Sequence, residues 1–543
     1  MTLLLGPVLR HVGETTATVW VQTDAPAEVT VLGCSARTFE VEDCHYALVP
    51  VQGLAADSVT EYTVQIDGVT AWPEPESDFP PSVIKTRGPA TADRLRVIFG
   101  SCRYPKTGVA KLDDKLGLDA LDCYATRLTA MPTQEWPDAL LLLGDQVYAD
   151  ELTPEAREHL AGGRSGRRSA GTRPPDEVVS FTEYERLYRH TWGDPEIRWI
   201  LSTLPTAMIF DDHDIRDDWN TSAAWRAEVN AMPWWRDRIR AGLASYWVYQ
   251  HLGNLSPTEL AADEDYQKVL ATDGDCWPLL AELADRADSE VDGDKGLRFS
   301  FRWDLGRSRL IMVDSRNARI LDSGDRKMLG DREFQWLEEQ VNDELETVDH
   351  LLIGSSLPWL LPPVLGDLQT INEIAANRDG LRGKLGEKIR QTADLEHWPA
   401  FLNSFLRLSE LINSAATRSS RGPATISVLS GDVHHSYAAR ADFGGSSTTR
   451  IHQLVCSPVH NYVPGPLKPA LKLSWSPRLA RVSRRWARRN GSPDLPMTWR
   501  NLSGPLFGNT IASLEADGRT AEVIFEQPLD NGDLTSVTTV ALT

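Results

Sequence analysis

The chain has 543 residues, more than one compact core accommodates, which sets an expectation of roughly two to four domains. Hydrophobic residues make up 41% and charged residues 24%, a balance that excludes extensive disorder. Asp and Glu outnumber Lys and Arg by 77 to 56, for a formal charge of −21, so a general nucleic-acid partner is excluded as the default. A small phosphate ester docking at bound cations is compatible with the same charge.

Six cysteines, at 34, 44, 102, 123, 276 and 456, form no CxxC pair and no zinc-finger spacing. Cys34 and Cys44 sit where a hairpin could join them, but buried free thiols of an intracellular chain are the simpler expectation. The N-terminal MTLLLGPVLRHVGETTATVW lacks a charged leader, a long apolar run and a small-residue cleavage site. No stretch approaches the ~18 apolar residues of a membrane span. Cytoplasmic residence without a transmembrane segment follows as the expectation.

Residues 2–88 alternate apolar and polar positions in short runs such as TATVWVQT and EYTVQID, broken by Gly, Asp and Pro. That pattern predicts a small β-sandwich, with Trp20 and Tyr62 in its core. PEPESDFPPS and KTRGPATAD then mark a boundary, giving an N-terminal domain over 1–90 and a second domain over 91–543. RLRVIFGSCRYP reads as a buried strand ending at Cys102 and Arg103. The thiol is either a small core residue or, ionised beside Arg103, a metal ligand.

ALLLLGDQVYAD, residues 139–150, repeats the pattern: an apolar run hands Asp145 and Tyr148 to a loop, as a rigid oxygen-ligand site requires. Taken alone, Asp145 is equally a turn former. GGRSGRRSAGTRPP at 162–175 reads as a mobile polar excursion, and FTEYERLYRHTW as an amphipathic helix. The strand TAMIF then runs into DDHDIRDDWN at 211–220, whose five Asp need arginines or metals to offset their repulsion. Asp212 and His213 are the candidates there.

The aromatic stretch at 222–252 is helical and packs a cap. Strands are predicted at LRFSFRWD, SRLIMVD and HLLIGSSLPWLL, a helix at DREFQWLEEQVNDEL, and further helices over 380–415. Such alternation is that of a layered α/β protein. ATISVLSGDVHHSYAAR delivers Asp432 and His434, which share a face if the strand continues through them. IHQLVCSP is another buried strand, with His460 and Asn461 beyond it. KPALKLSWSPRLARVSRRWARRN, at 468–490, is basic and amphipathic; membrane-surface binding is conceivable, but its apolar stripe is expected to dock on its own domain. DG and NG turns mark C-terminal hairpins.

Cys102, Asp145, Tyr148, Asp212, His213, Asp432 and His434 thus come from four strand ends, and their convergence is the structural expectation. Two cations sharing a carboxylate polarise a phosphoryl oxygen and activate a bound water as hydroxide for in-line attack. His213 then assists the leaving oxygen.

GSCR, GDQVYAD, FDDHDIRDDW and SGDVHHS, in that order, with VDSRNAR and RKMLGDREFQWL between the last two, resemble the motif blocks of the alkaline phosphatase D (PhoD-like) family of metallophosphoesterases. The resemblance spans about residues 95–460 and implies a catalytic domain of two facing sheets flanked by helices, after an immunoglobulin- or fibronectin-like β-sandwich. Carried over by motif, it implies ferric iron on Cys102, Tyr148 and His434, Asp145 as bridge, and Asp212 and Asp432 on a second, divalent metal. His213 would face the leaving group, with Arg103 and, more weakly, Arg316 on phosphate.

Two departures are visible. The better-known relatives are exported by a twin-arginine signal absent here, so Mg2+, Mn2+ or Zn2+ stand as alternatives to the Ca2+ of the best-known form. The His that commonly precedes the final block is missing from LLIGSSLPW, which implies a more open second site. The implied activity is hydrolysis of phosphate mono- or diesters. A phospholipase- or nuclease-like diesterase using the basic segment, and a catalytically silent binding protein, are the alternatives.

Overall fold

The structure is a computed structural model; it describes residues 1–164, 173–293, 296–322, 324–418 and 421–543, so most of the polar excursion at 162–175 lies outside the described residues.

The N-terminal region forms two four-stranded antiparallel sheets. Leu3–Val12, Thr16–Thr23, Cys44–Gln52 and Phe39–Val41 make one; Cys34–Arg37, Glu28–Val31, Val64–Ile66 and Val69–Trp72 make the other. Period-two burial holds in the second sheet, where Val29, Val31, Val64 and Ile66 are buried and Thr30 and Gln65 between them are not. It fails in Leu3–Val12 and Thr16–Thr23, which are buried on both faces. The reason is that the following layers cover the outer face. Arg10, fully buried, donates to the Gln250 carbonyl and to Asn254 Oδ1 (3.0 Å), Gln22 Nε2 to Glu185 Oε1 (2.8 Å), and the hydroxyls of Tyr46 and Tyr249 meet at 2.9 Å. Trp20 is core, and Tyr62 donates to the Ser202 carbonyl. Both Cys34 and Cys44, like the other four cysteines, are free thiols.

The rest of the chain is built on two larger mixed sheets. In the six-stranded one, Thr206–Ile209, Ala139–Leu143 and Arg94–Gly100 run parallel, and Ile511–Asp517, Thr520–Pro528 and Leu534–Ala541 continue it antiparallel. The C-terminal hairpins therefore complete the sheet that carries the opening ligand strands. The seven-stranded sheet runs Phe301–Leu305, Ser308–Val313, His350–Ser355, Thr425–Ser430, Arg450–Val455, Ser436–Asp442, Thr498–Leu506, its middle four strands parallel.

Alternate residues of this second sheet enter different cores. Leu310, Met312, Leu352, Leu429 and Leu454 pack in the cluster that holds Ile98, Leu140 and Leu142 of the first sheet. Ile311, Val313, Leu351, Ile353, Ile426 and Val428 instead pack with Phe334, Leu337, Leu408 and Ile412 of the helices Asp331–Asn342 and Leu402–Thr417. The sheets thus face each other, with helices outside, as the period of two requires of a strand covered on both sides.

One expectation fails. The basic segment forms helices Leu467–Ser474 and Pro477–Arg489, but the apolar stripe of the latter does not dock: Leu479, Val482 and Trp486 are exposed, while Ser483 and Ala487 are buried. Polar pairing decides which face turns in, because Asp367 on helix Pro363–Ala376 accepts from Ser483 Oγ (2.6 Å) and Arg484 (2.8 Å). Among the described residues, no helix is long and apolar enough to cross a membrane.

Candidate metal centre

Ala139–Leu143, Arg94–Gly100 and Thr206–Ile209 are adjacent and parallel, so the loops that follow them emerge at one edge of the sheet. These loops carry Cys102, Asp145 with Tyr148, and Asp211 to Asp214. Gly431, after Thr425–Ser430 of the facing sheet, brings the fourth loop against them. A Cβ on Gly431 would lie 2.0 Å from Ser101 Oγ, so only glycine permits this approach. The Asp432 amide donates to Ser101 Oγ (3.1 Å) and the Cys102 amide to the Gly144 carbonyl (3.3 Å). Cys102 Sγ lies 3.3 Å from Ser457 Oγ, which also accepts from the His434 amide (3.1 Å).

Cys102, Asp145, Asp432 and His434 all adopt positive φ, at 56°, 52°, 66° and 51°. Such conformations cost about 1–3 kcal/mol each in a non-glycine residue and persist where the surroundings over-determine them. For Cys102, Asp432 and His434 the amide hydrogen bonds just described do so. Asp432 and His434 consequently owe their positions to a looped backbone, not to a continued strand, since Thr425–Ser430 ends before them.

Oxygens of Asp145, Asp211 and Asp212 lie within 4.8 Å of one another, and all three residues are buried. Asp145 Oδ1, Asp211 Oδ2 and Asp212 Oδ1 accept no hydrogen bond. Burial pushes all three carboxyls above the ordinary range, reinforced for Asp145 by Asp212, Asp214 and Asp432. Two buried cations oppose this: His213 acts on Asp145 and Asp212, and Arg316 pairs with Asp211, with Asp212 at 3.2 Å, and with Glu396. The Arg316 guanidinium reaches Asp212 Oδ1 but leaves Asp145 Oδ1 and Asp211 Oδ2 unsatisfied, and a hard cation fits the donors that remain.

Burial also raises the Cys102 thiol, with Asp145 and Asp432 adding to it, and raises the Tyr148 phenol, with Asp145 and Cys102 adding. Both side chains therefore share the field of the carboxylate group, and both need a cation to ionise. Asn461 Nδ2 donates to the Tyr148 hydroxyl (3.0 Å). Burial lowers the His434 imidazole pKa, keeping it in the neutral form that ligates metals.

His213 faces Asp150, with Nδ1 2.9 Å from Oδ1, and its ring centre is 4.8 Å from that of Tyr148. Burial alone would lower the imidazole pKa; Asp150, then Asp212 and Asp145, override it and hold His213 well above its ordinary value. Burial likewise acts to raise Asp432, and the neighbouring His397, whose Nε2 stands 2.8 Å from Oδ2, outweighs it and leaves the carboxyl below its usual range.

Of the residues expected at the site, Asp145, Asp212, His213, Asp432, Cys102 and Tyr148 come together through these contacts, and His434 is tied in through its backbone. The two arginines expected on phosphate are engaged elsewhere. Arg103 is buried, bonded to Asp119 (2.7 Å) and to the Thr191 carbonyl (2.9 Å). Arg316 is fully enclosed by the three acids named above. In a second acidic group, Asp122, Asp194 and Glu196, Lys106 bridges Asp122 and Asp194 and Arg103 lies 3.7 Å from Asp122.

Residues missed in the sequence are Asp211, Asp150, Glu396 and His397. The first two lie inside the dense clusters DDHDIRDDWN and GDQVYAD. Glu396 and His397 come from the segment between helix Leu381–Thr392 and Trp398, where nothing in the spacing marks them. His397 supplies an imidazole at Asp432 although LLIGSSLPW has none.

Fold and site together define a layered α/β protein with a buried, carboxylate-rich centre of metal-binding type at its strand ends. The family model described as PhoD-like phosphatase matches residues 123–479, more than half of the chain, and the chain belongs to that family. A second model, described as a domain of unknown function (DUF7800), matches residues 1–84. Among solved structures, one titled "Structure of PhoD" is similar over 99% of this chain and 90% of its own, with a TM-score of 0.59 at 11% identity. A dimetal phosphatase from Danio rerio is similar over 83% of this chain and 98% of its own, at a TM-score of 0.32 and 8% identity. No curated protein sequence matches the chain.

Proposed function

We propose that the chain is a metal-dependent phosphoesterase hydrolysing small phosphate mono- or diesters. The observation that carries this reading is the buried cluster of Asp145, Asp211 and Asp212, in which Asp145 Oδ1 and Asp211 Oδ2 accept no hydrogen bond. Asp145 would bridge two metals, Asp212 and Asp432 would hold the divalent one, and Cys102, Tyr148 and His434 a ferric one. Metals bound there supply Lewis-acid polarisation of the phosphoryl group and lower the pKa of bound water.

The chain's own residues do the rest. His213, kept protonated by Asp150, donates to the departing oxygen. Arg316 fixes Asp211 and Asp212 and limits their repulsion. Arg103 acts as a positioning residue through Asp119, anchoring the loop that bears Cys102. The N-terminal sheets are read as an immunoglobulin-like sandwich over 1–90, and residues 91–543 as the catalytic unit.

The test is hydrolysis of an aryl phosphate monoester and an aryl diester by metal-stripped protein, before and after adding Fe3+ with Ca2+, Mg2+, Mn2+ or Zn2+. Activity that is absent from stripped protein and restored by metal supports the reading. Full activity after stripping overturns it.

A further inference from the structure

Helix Pro477–Arg489 turns its small residues inward and its large apolar ones outward. Ser483 and Ala487 face helix Pro363–Ala376, whereas Leu479, Val482 and Trp486, at i, i+3 and i+7, are 38%, 61% and 50% exposed. Leu467 and Leu473 of the preceding helix are also exposed. Arg478, Arg481 and Arg485 each precede a residue of the stripe by one, and Arg489 follows Arg485 by four, so a line of exposed guanidiniums runs beside the stripe. Among the described residues, no carboxylate pairs with any of these four. Residues 467–489 contain eight Lys and Arg and no acid, in a chain whose net charge is −21.

We infer that this face docks on the surface of an anionic lipid bilayer. Leu479, Val482 and Trp486 enter the headgroup boundary and the arginines meet lipid phosphates, the arrangement of an interfacial amphipathic helix. Charge selects this occupant over the alternatives. A second copy placed symmetrically on the stripe would set the two guanidinium lines against each other. A nucleic acid would pair with the arginines and leave the valine and leucine in water. The inference stands on the exposed face alone and does not depend on the phosphoesterase reading.

The test is co-sedimentation of the full chain with phosphatidylcholine vesicles and with phosphatidylcholine–phosphatidylglycerol vesicles, for wild type, V482E/W486E and R478E/R481E/R485E. Wild type is expected to pellet with the anionic vesicles and at least ~10-fold less without anionic lipid or at high salt. Both variants are expected to remain in the supernatant with unchanged thermal melts, since these side chains are exposed. Wild type that stays in solution with anionic vesicles overturns the inference, as does equal pelleting of the variants. A wild-type dimer in sedimentation velocity that V482E/W486E disperses would assign the stripe to a second copy instead.

Discussion

Asp150 Oδ1 lies 2.9 Å from His213 Nδ1, which fixes Nδ1 as the protonated nitrogen on that side and leaves Nε2 to serve the reacting groups. Replacing Asp150 by Asn keeps the shape and removes the charge that holds the imidazole pKa up. Turnover should fall by about 10²–10³, in the range of a lost general acid, with metal content unchanged. The basic limb of the kcat profile should also move to lower pH, because the imidazole then loses its proton earlier. A profile that does not move would remove His213 from the proton-transfer role.

Arg316 has no exposed surface and balances Asp211, Asp212 and Glu396. Leaving those acids without their cation should cost about 3–5 kcal/mol. Chemical denaturation of Arg316→Met is expected to show a loss of that size, partly recovered by added divalent metal. A variant with native stability and only a raised KM would return Arg316 to the phosphate.

Burial raises Asp145, Asp211 and Asp212 above the usual carboxylate range, and Asp214 to about 7. The metal-free native protein therefore holds protons that the unfolded chain has already released. The stability from these groups is full below the unfolded value near 4 and declines as pH rises toward the folded ones. Metal-stripped protein should melt lower at about pH 8 than at about pH 5, and added metal should flatten that dependence. Calorimetric titration in two buffers of different ionisation heat should show proton release on metal binding; binding with no proton release would contradict the raised carboxyls.

Much of this was legible because buried strands announce themselves. ALLLL, TAMI and TISVLS are continuous apolar or β-branched runs, and each ends where a ligand-type residue begins, so the loops could be located without the fold. His397 was not legible, since it reaches Asp432 from an irregular link 35 residues upstream and follows no periodicity. The partners of Arg316 were hidden for a related reason: SRN after a strand reads the same whether its arginine faces solvent or three buried acids. The basic helix misled because amphipathicity identifies an apolar face without saying what covers it. Ser483 and Asp367, 116 residues apart, decided that.

Tyr148 and Cys102 share the field of Asp145, and a ferric ion on either would absorb visible light. Tyr148→Phe should abolish a phenolate band and leave the fold intact, with Asn461 losing only its acceptor. A colourless, iron-free and active wild type would refute the iron assignment without touching the carboxylate site.

In the proposed centre Asp145 is shared between two ions, one of them held with Asp212 and Asp432. Metal analysis of purified wild type and Asp145→Asn, with circular dichroism to verify folding, tests it most directly. Two metals per chain in wild type, and loss of both in the folded variant, is the predicted result. A folded Asp145→Asn protein that keeps its full metal content would contradict it.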